Sequence, residues 1–350
     1  MNITEVYNIM VNPYNQGNVS GNGSMGFLRN STLNRAINIF SIIILFIAMI
    51  SLGCTMEISR IKAHLFKPKG VFIALLAQFG IMPLSSFCLA KMLQLSPIKA
   101  LTVLICGCCP GGSLSNIFSL AIKGDMNLSI TMTTCSSIAA LGLMPLLLFL
   151  LCKGFPSVAN AVPYPGILTG LTLTLIPCTI GITVNHYKPH YSPFITKAGL
   201  IILIISSIIV LILSGIAIKD EIWMVFTADI VTTAALMPLT GFMMGYAMSI
   251  ICRLSPQCCR TISMETGCQN VQLCNTVLKV AFPPQVIGPM FVFPFIYMIM
   301  QCAEALLLIL CFRCYQKFKA QDKAALDSES NLTISLRSDF ASTTEKMTSF

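Results

Sequence analysis

The sequence predicts an all-α polytopic membrane protein: nine transmembrane helices with an inverted-topology repeat and two interrupted helices that cross. Three observations carry this. Hydrophobic residues make up 55% of the chain and charged residues only 10%, whereas soluble domains carry about 25% charged residues. Apolar stretches long enough to span a bilayer recur nine times. Two of these stretches are broken at matching places by polar sequence, CCPGGSLSN (108–116) and METGCQN (264–270). Polar backbone at membrane depth persists only where protein buries it or where it lines a water-filled cavity. A pair of such interruptions in corresponding positions of two halves points to the binding site of a secondary transporter.

A run of about 20 apolar residues crosses the hydrocarbon, which puts the spans near 36–57, 70–93, 98–123, 127–152, 163–184, 197–218, 224–251, 259–280 and 286–312. Span 2 carries Gln78 and Pro83, and span 3 holds the first interruption. Span 4 opens with Ser129, Thr131, Thr133 and Thr134; Ser129 and Thr133, one turn apart, share a helix face. Pro145, Pro177, Pro238 and Pro294 lie inside spans 4, 5, 7 and 9, where proline kinks a membrane helix without ending it. Span 8 holds the second interruption, with Glu265 inside it.

The two halves repeat. Ile81-Met-Pro-Leu-Ser-Ser-Phe matches Leu236-Met-Pro-Leu-Thr-Gly-Phe, with Pro83 and Pro238 155 residues apart and Asn116 and Asn270 154 apart. Five crossings separate span 2 from span 7, so the halves insert upside down to each other. The first repeat covers about 36–152 and the second about 197–312, leaving span 5 unpaired. Residues 1–35 form an N-terminal tail, 36–312 the membrane domain and 313–350 a C-terminal tail. The N-terminal tail has no apolar core or cleavage box, so no cleavable signal peptide is expected. Its sequons at Asn2, Asn18 and Asn22 predict glycosylation and an extracellular N-terminus; Asn30 sits too near the membrane. Lys and Arg agree: thirteen fall in the inside loops and the start of the C-terminal tail, seven outside. The C-terminus is therefore cytoplasmic. Its tail, basic and then Ser/Thr-rich, is expected to be disordered, and its Tyr315-Gln-Lys-Phe318 fits either a sorting signal or an aromatic anchor.

Composition also excludes several function classes. The net charge of +9 comes from residues at the ends of apolar runs, which does not describe a nucleic-acid surface. The sixteen cysteines lie mostly inside apolar runs, where free Cys behaves as a small hydrophobe. Cys106-Gly-Cys108-Cys109 lacks the second pair that a zinc site needs. An enzyme is not expected, since His64, His186 and His190 all fall in cytoplasmic loops and no catalytic pair is present. Nine spans do not suit a seven-span receptor, and polar residues gathered at one depth do not make a channel's continuous stripe.

The interruptions supply oxygen: Ser113, Ser115 and Asn116 from one, Glu265, Gln269 and Asn270 from the other. Hard cations take carboxylate, amide, hydroxyl and carbonyl oxygens, and unwound helix ends free such carbonyls. Glu265 is the sharpest residue, an ionisable group inside a span with Arg260 as nearest cation, at the membrane edge. A bound cation would balance it; a protonated, hydrogen-bonded Glu265 or proton coupling are the alternatives. Asp229 lies near the outer end of span 7 and is expected to reach water, Glu304 stays unassigned, and Gln78 reads equally as ligand or helix–helix glue.

At these residues the chain resembles the sodium/bile acid cotransporter family. The resemblance covers about 36–320 and rests on SLGCTMEISRIKAHLFKPKG (51–70), AQFGIMPL (77–84), CCPGGSLSNIFSLAIKGDMNLSITMTTCS (108–136) and RTISMETGCQNVQLCNTVL (260–278). It implies no cofactor, co-transported Na+, and sodium-coupled import of bile salts across the plasma membrane, on the basolateral face for a hepatic type. Steroid sulfates or other organic anions are the alternative cargo. It implies a core bundle moving against a panel of spans 1, 5 and 6. One sodium site then falls on Ser115, Asn116, Ser129, Thr133 and Glu265, the other on Gln78, Glu265 and Gln269. Asn270 and Asn275 lie on the substrate side. Asn275 departs from the family, where a member carries Ser, which bears on substrate preference and not on sodium binding.

Overall fold

In the computed structural model, residues 31–56, 68–155, 162–218, 226–282 and 287–348 are described. The expected glycosylation sites Asn2, Asn18 and Asn22 lie outside them. The described residues are helical, with no strand beyond one isolated bridge. In chain order the helices are α1 (Ser31–Thr55), α2 (Pro68–Leu76), a π-helical turn (Ala77–Ile81), α3 (Met82–Met92), α4 (Pro97–Gly107), α5 (Ser113–Ala121) and α6 (Met126–Cys152). There follow α7 (Tyr164–Tyr187), α8 (Ser192–Ile218), α9 (Ala228–Ile251), α10 (Pro256–Gly267), α11 (Val271–Ala281), a 3-10 turn (Gly288–Val292) and α12 (Phe293–Thr348). Among the described residues five helices are long and apolar enough to cross a membrane: Lys69–Met92, Met126–Cys152, Tyr164–Tyr187, Ala228–Ile251 and Met290–Asp322. Expected spans 3 and 8 appear as half-helix pairs, α4/α5 and α10/α11, each half too short to cross alone.

The polarity is that of a protein solvated by lipid. Ile201, Ile205, Ile208 and Ile212 of α8 and Ile138, Leu146 and Phe149 of α6 are exposed, while Ser115, Ser129, Thr133, Thr261 and Glu265 are buried. So much outward apolar surface is untenable in water. α1 packs chiefly on α7 and α8. Small residues permit this: a Cβ on Gly53 would strike the Cys178 carbonyl, and one on Gly181 would strike the Ile50 carbonyl. Backbones that approach this closely gain packing that lipid cannot compete with.

The π-helical turn has a local cause. Pro83 lacks an N–H and its ring crowds the carbonyl four residues back, Phe79, so the turn before it widens. Gln78 sits in the widened turn. Helices α3 and α9 end alike. Gln94 (φ 49°) and Arg253 (φ 56°) take the left-handed conformation, and Leu95 and Leu254 donate back to Ala90 and Ser249 at 3.0 and 3.1 Å. This is a Schellman end. A Ser-Pro pair, Ser96-Pro97 and Ser255-Pro256, then starts the next helix in each half. The chain divides into two compact units, Met1–Glu304 and Ala305–Phe350. Within the second, helix continues to Thr348 where disorder was expected. No Gly or Pro interrupts 313–350, and Gln316–Leu326 is dominated by strong helix formers.

Candidate functional site

Unwinding at Cys108–Gly112 follows from Pro110, which cannot donate, and from Gly111 and Gly112, the least helix-prone residues. The second break leaves Cys268 extended (φ −98°, ψ 105°), and Asn270 caps α11 by accepting from Leu273 N–H at 3.0 Å. The two unwound segments pair as an antiparallel bridge between Gly111 and Gln269. Gly112 N–H donates to Cys268 O at 3.3 Å and Asn270 N–H to Pro110 O at 2.9 Å. Backbone leaves no room for a side chain at Gly112, and one at Gly111 would displace the Glu265 carboxylate. A Cβ on Gly112 would lie 2.9 Å from Gln269 O, and one on Gly111 would lie 2.9 Å from Glu265 Oε2.

Glu265 is 1% exposed, in the last turn of α10. Its Oε1 accepts from Ser129 Oγ at 2.5 Å and lies 3.1 Å from Thr133 Oγ1, which is 3.0 Å from Oε2. Asn116 Oδ1 is 2.8 Å from Ser129 Oγ and 3.2 Å from Thr133 Oγ1. Ser115, in the same first turn of α5, donates to Gly112 O at 2.6 Å. A hydroxyl has one hydrogen. The two hydroxyls of Ser129 and Thr133 therefore cannot satisfy both carboxylate oxygens and the Asn116 amide oxygen at once, and Thr133 also reaches Ser129 O at 3.0 Å. The cluster is rich in lone pairs and poor in protons. Among the described residues no ion pair joins Glu265 to a Lys or Arg.

Gln78 reaches the same crossing from the π-helical turn. Its Nε2 donates to Gln269 Oε1 at 2.9 Å and to Cys109 O at 3.0 Å. Gln269 Nε2 in turn donates to Thr266 O at 3.0 Å. Gln78, Ser136 and Glu265 face one small cleft with Ala74, Leu75 and Met132. All seven expected cation-site residues thus converge: Ser115, Asn116, Ser129, Thr133 and Glu265 in one cluster, Gln78 and Gln269 beside it.

Of the two asparagines expected on the substrate side, Asn270 directly follows Gln269 at the bridge. Asn270 lines a narrow cleft with Met49, Leu52, Thr174 and Leu273. Asn275 is buried in α11, and its Oδ1 has no hydrogen-bond partner. Asp229 does more than reach water: its Oδ2 pairs with Lys99 Nζ at 2.8 Å, tying the start of α9 to α4. A larger cavity of about 210 Å³ opens between α1, α5, α6 and α8, lined by Ser51, Leu52, Thr55, Asn116, Ile117 and Lys197 among others. Sequence reasoning did not single out Lys197, Tyr297 or Gln301.

The model of the sodium bile acid symporter family matches residues 42–221. The chain is 56% identical over 296 residues to a hepatic sodium/bile acid cotransporter of Rattus norvegicus, covering 84% of this chain and 82% of that protein. The chain belongs to the sodium bile acid symporter family. The human hepatic sodium/bile acid cotransporter is 54% identical over 294 residues, 83% of this chain and 84% of the relative. The human ileal sodium/bile acid cotransporter is 36% identical over 312 residues, 87% of each. The family match includes the first interruption, Cys108–Asn116, and ends before the second.

Proposed function

We propose that this protein is a sodium-coupled symporter that imports conjugated bile salts and related amphipathic organic anions across the plasma membrane by alternating access. The observation that carries the proposal is the proton-poor oxygen cluster around Glu265, buried where the two broken helices cross. One carboxylate with hydroxyl and amide oxygens suits a hard monovalent cation. The C-terminal end of α10 adds negative potential through the helix dipole. The first sodium is held by Ser115, Asn116, Ser129, Thr133 and Glu265, the second by Gln78, Glu265 and Gln269. Filling both neutralises Glu265 and orders the bridge, which raises affinity for an anion from outside. The inward sodium gradient then drives release inside.

The 210 Å³ cavity beside Asn116 supports a substrate route between α1, α8 and the crossing helices. Its walls are mostly apolar, suiting a sterol face, and Lys197 offers a cation to an anionic head. Pockets for ligands of this size hold about 300–1,000 Å³, so the cavity has to widen. We take α1, α7 and α8 as a panel that moves against the other helices; the close packing of α7 and of α8 on α1 supports this. Nine crossings over 36–312, an extracellular N-terminus glycosylated at Asn2, Asn18 and Asn22, and a cytoplasmic C-terminus complete the proposal. The shared corner, Leu95-Ser-Pro and Leu254-Ser-Pro with a left-handed residue, Gln94 or Arg253, before each, supports an inverted repeat.

The test is uptake of labelled taurocholate and of a steroid sulfate in expressing cells, in sodium and in choline at fixed pH. Uptake that requires sodium is expected. Undiminished uptake in choline would remove sodium coupling, and steroid sulfate uptake alone would move the cargo to the alternative class.

A further inference from the structure

The bridge between the unwound segments leaves two backbone groups of the second segment facing away from the first. In an antiparallel pair flanked by hydrogen bonds from the neighbours, the paired residue's own N–H points outward. Here the flanking bonds are Gly112 to Cys268 and Asn270 to Pro110, so the Gln269 N–H points outward into protein. Gln301 Oε1 accepts it at 3.0 Å. Two residues earlier, Gly267 O, freed by the end of α10, accepts from Tyr297 Oη at 2.9 Å. Tyr297 and Gln301 are both 0% exposed, and they stand four apart on α12. That spacing puts them on one face, one turn apart.

We infer that Tyr297 and Gln301 are positioning residues for the second sodium position, holding the unwound backbone at Gly267 and Gln269 so that the Gln269 amide meets Gln78. Nothing else among the described residues takes the Gln269 N–H. An unpaired buried donor is costly, so without Gln301 the segment turns to find a partner. Any such turn carries Gln269 Oε1 away from Gln78 Nε2, which now lies 2.9 Å from it. Tyr297 fixes the other end of the same three residues. Neither side chain touches the first cluster in its recorded bonds, so the effect falls on the sodium position that Gln269 serves. Gln301 reads in the sequence as ordinary glue within a span; only the bridge geometry shows which donor it serves.

The inference rests on the proposed sodium-coupled transport, and the experiment separates the two. The full-length chain is expressed in cells, and uptake of labelled taurocholate is measured against external sodium and, at saturating sodium, against taurocholate, both normalised to surface protein. Gln301→Leu is expected to raise the sodium concentration for half-maximal uptake by roughly tenfold and to flatten the sodium curve. The taurocholate KM at saturating sodium stays within twofold. Gln301→Glu keeps an acceptor oxygen at the same reach and restores the wild-type curve. Tyr297→Phe removes one hydroxyl and shifts the sodium curve the same way; it carries the test if Gln301→Leu fails to reach the surface. Sodium curves of Gln301→Leu and Tyr297→Phe that overlay wild type overturn the inference, as does Gln301→Glu behaving like Gln301→Leu. Wild-type uptake indifferent to sodium instead overturns the proposed function.

Discussion

Adding one methyl group at Gly112 tests whether the contact between the unwound segments is required. An Ala Cβ there sits 2.9 Å from Gln269 O and 3.2 Å from Asn270 Cα, both backbone atoms that no rotamer change can move. Ordinary contact begins near 3.4 Å, so the segments must separate by roughly half an ångström. That weakens both bridging hydrogen bonds, Gly112 N–H to Cys268 O at 3.3 Å and Asn270 N–H to Pro110 O at 2.9 Å. Two bonds at about 0.5–1.5 kcal/mol each and overpacking at about 1–3 kcal/mol give about 2–6 kcal/mol. Even the lower figure means roughly thirtyfold fewer competent carriers. The assay is sodium-driven taurocholate uptake per surface copy, with melting of the detergent-purified protein alongside. Gly142→Ala is the control: nothing lies within 4 Å of its added Cβ, and replacing Gly within a helix gains about 0.5–1 kcal/mol. Wild-type uptake and melting in Gly112→Ala would refute the reasoning.

Three further outcomes follow from the same geometry. Thr133→Val keeps the shape and removes a hydroxyl within reach of both Glu265 oxygens; the sodium dependence of uptake shifts to higher sodium by roughly five- to tenfold. Lys197→Met removes the cation lining the 210 Å³ cavity, so the taurocholate KM rises several-fold while half-saturation by sodium does not move. Gly181→Val drives a side chain into the Ile50 carbonyl and Gly53; overpacking of this kind costs about 1–3 kcal/mol or more, and size-exclusion profiles of the solubilised protein show less monodisperse material.

Lipid made the site legible. Because hydrocarbon tolerates no unsatisfied backbone, Pro110-Gly-Gly and Met264–Asn270 stood out from their apolar flanks, and Glu265 stood out as a carboxylate without a nearby cation. Ser129 and Thr133 were legible from four-residue spacing, and the structure joins both to Glu265. What escaped depends on contacts between distant positions. Gln301 reaches Gln269 across 32 residues and Lys99 reaches Asp229 across 130; no local pattern encodes either. The π-helical turn at Gln78 was foreshadowed by Pro83 alone, which equally permits a simple kink, as Pro238 inside the unbroken α9 illustrates. Left-handed Gln94, Lys123 and Arg253 carry none of the glycine signal that usually marks a helix end. The helical tail reversed an expectation drawn from composition, because composition weighed Ser and Thr over the absence of any helix breaker.

The central claim is that the Glu265 carboxylate is the charge shared by both sodium positions. Glu265→Gln tests it most directly, since the amide fits the same space, removes the charge and supplies the hydrogens that the cluster of Asn116, Ser129 and Thr133 lacks. Uptake of labelled taurocholate is measured in sodium and in choline, per copy at the cell surface. The account predicts surface expression like wild type with sodium-stimulated uptake lost. Sodium-stimulated uptake at the wild-type level in Glu265→Gln would contradict it.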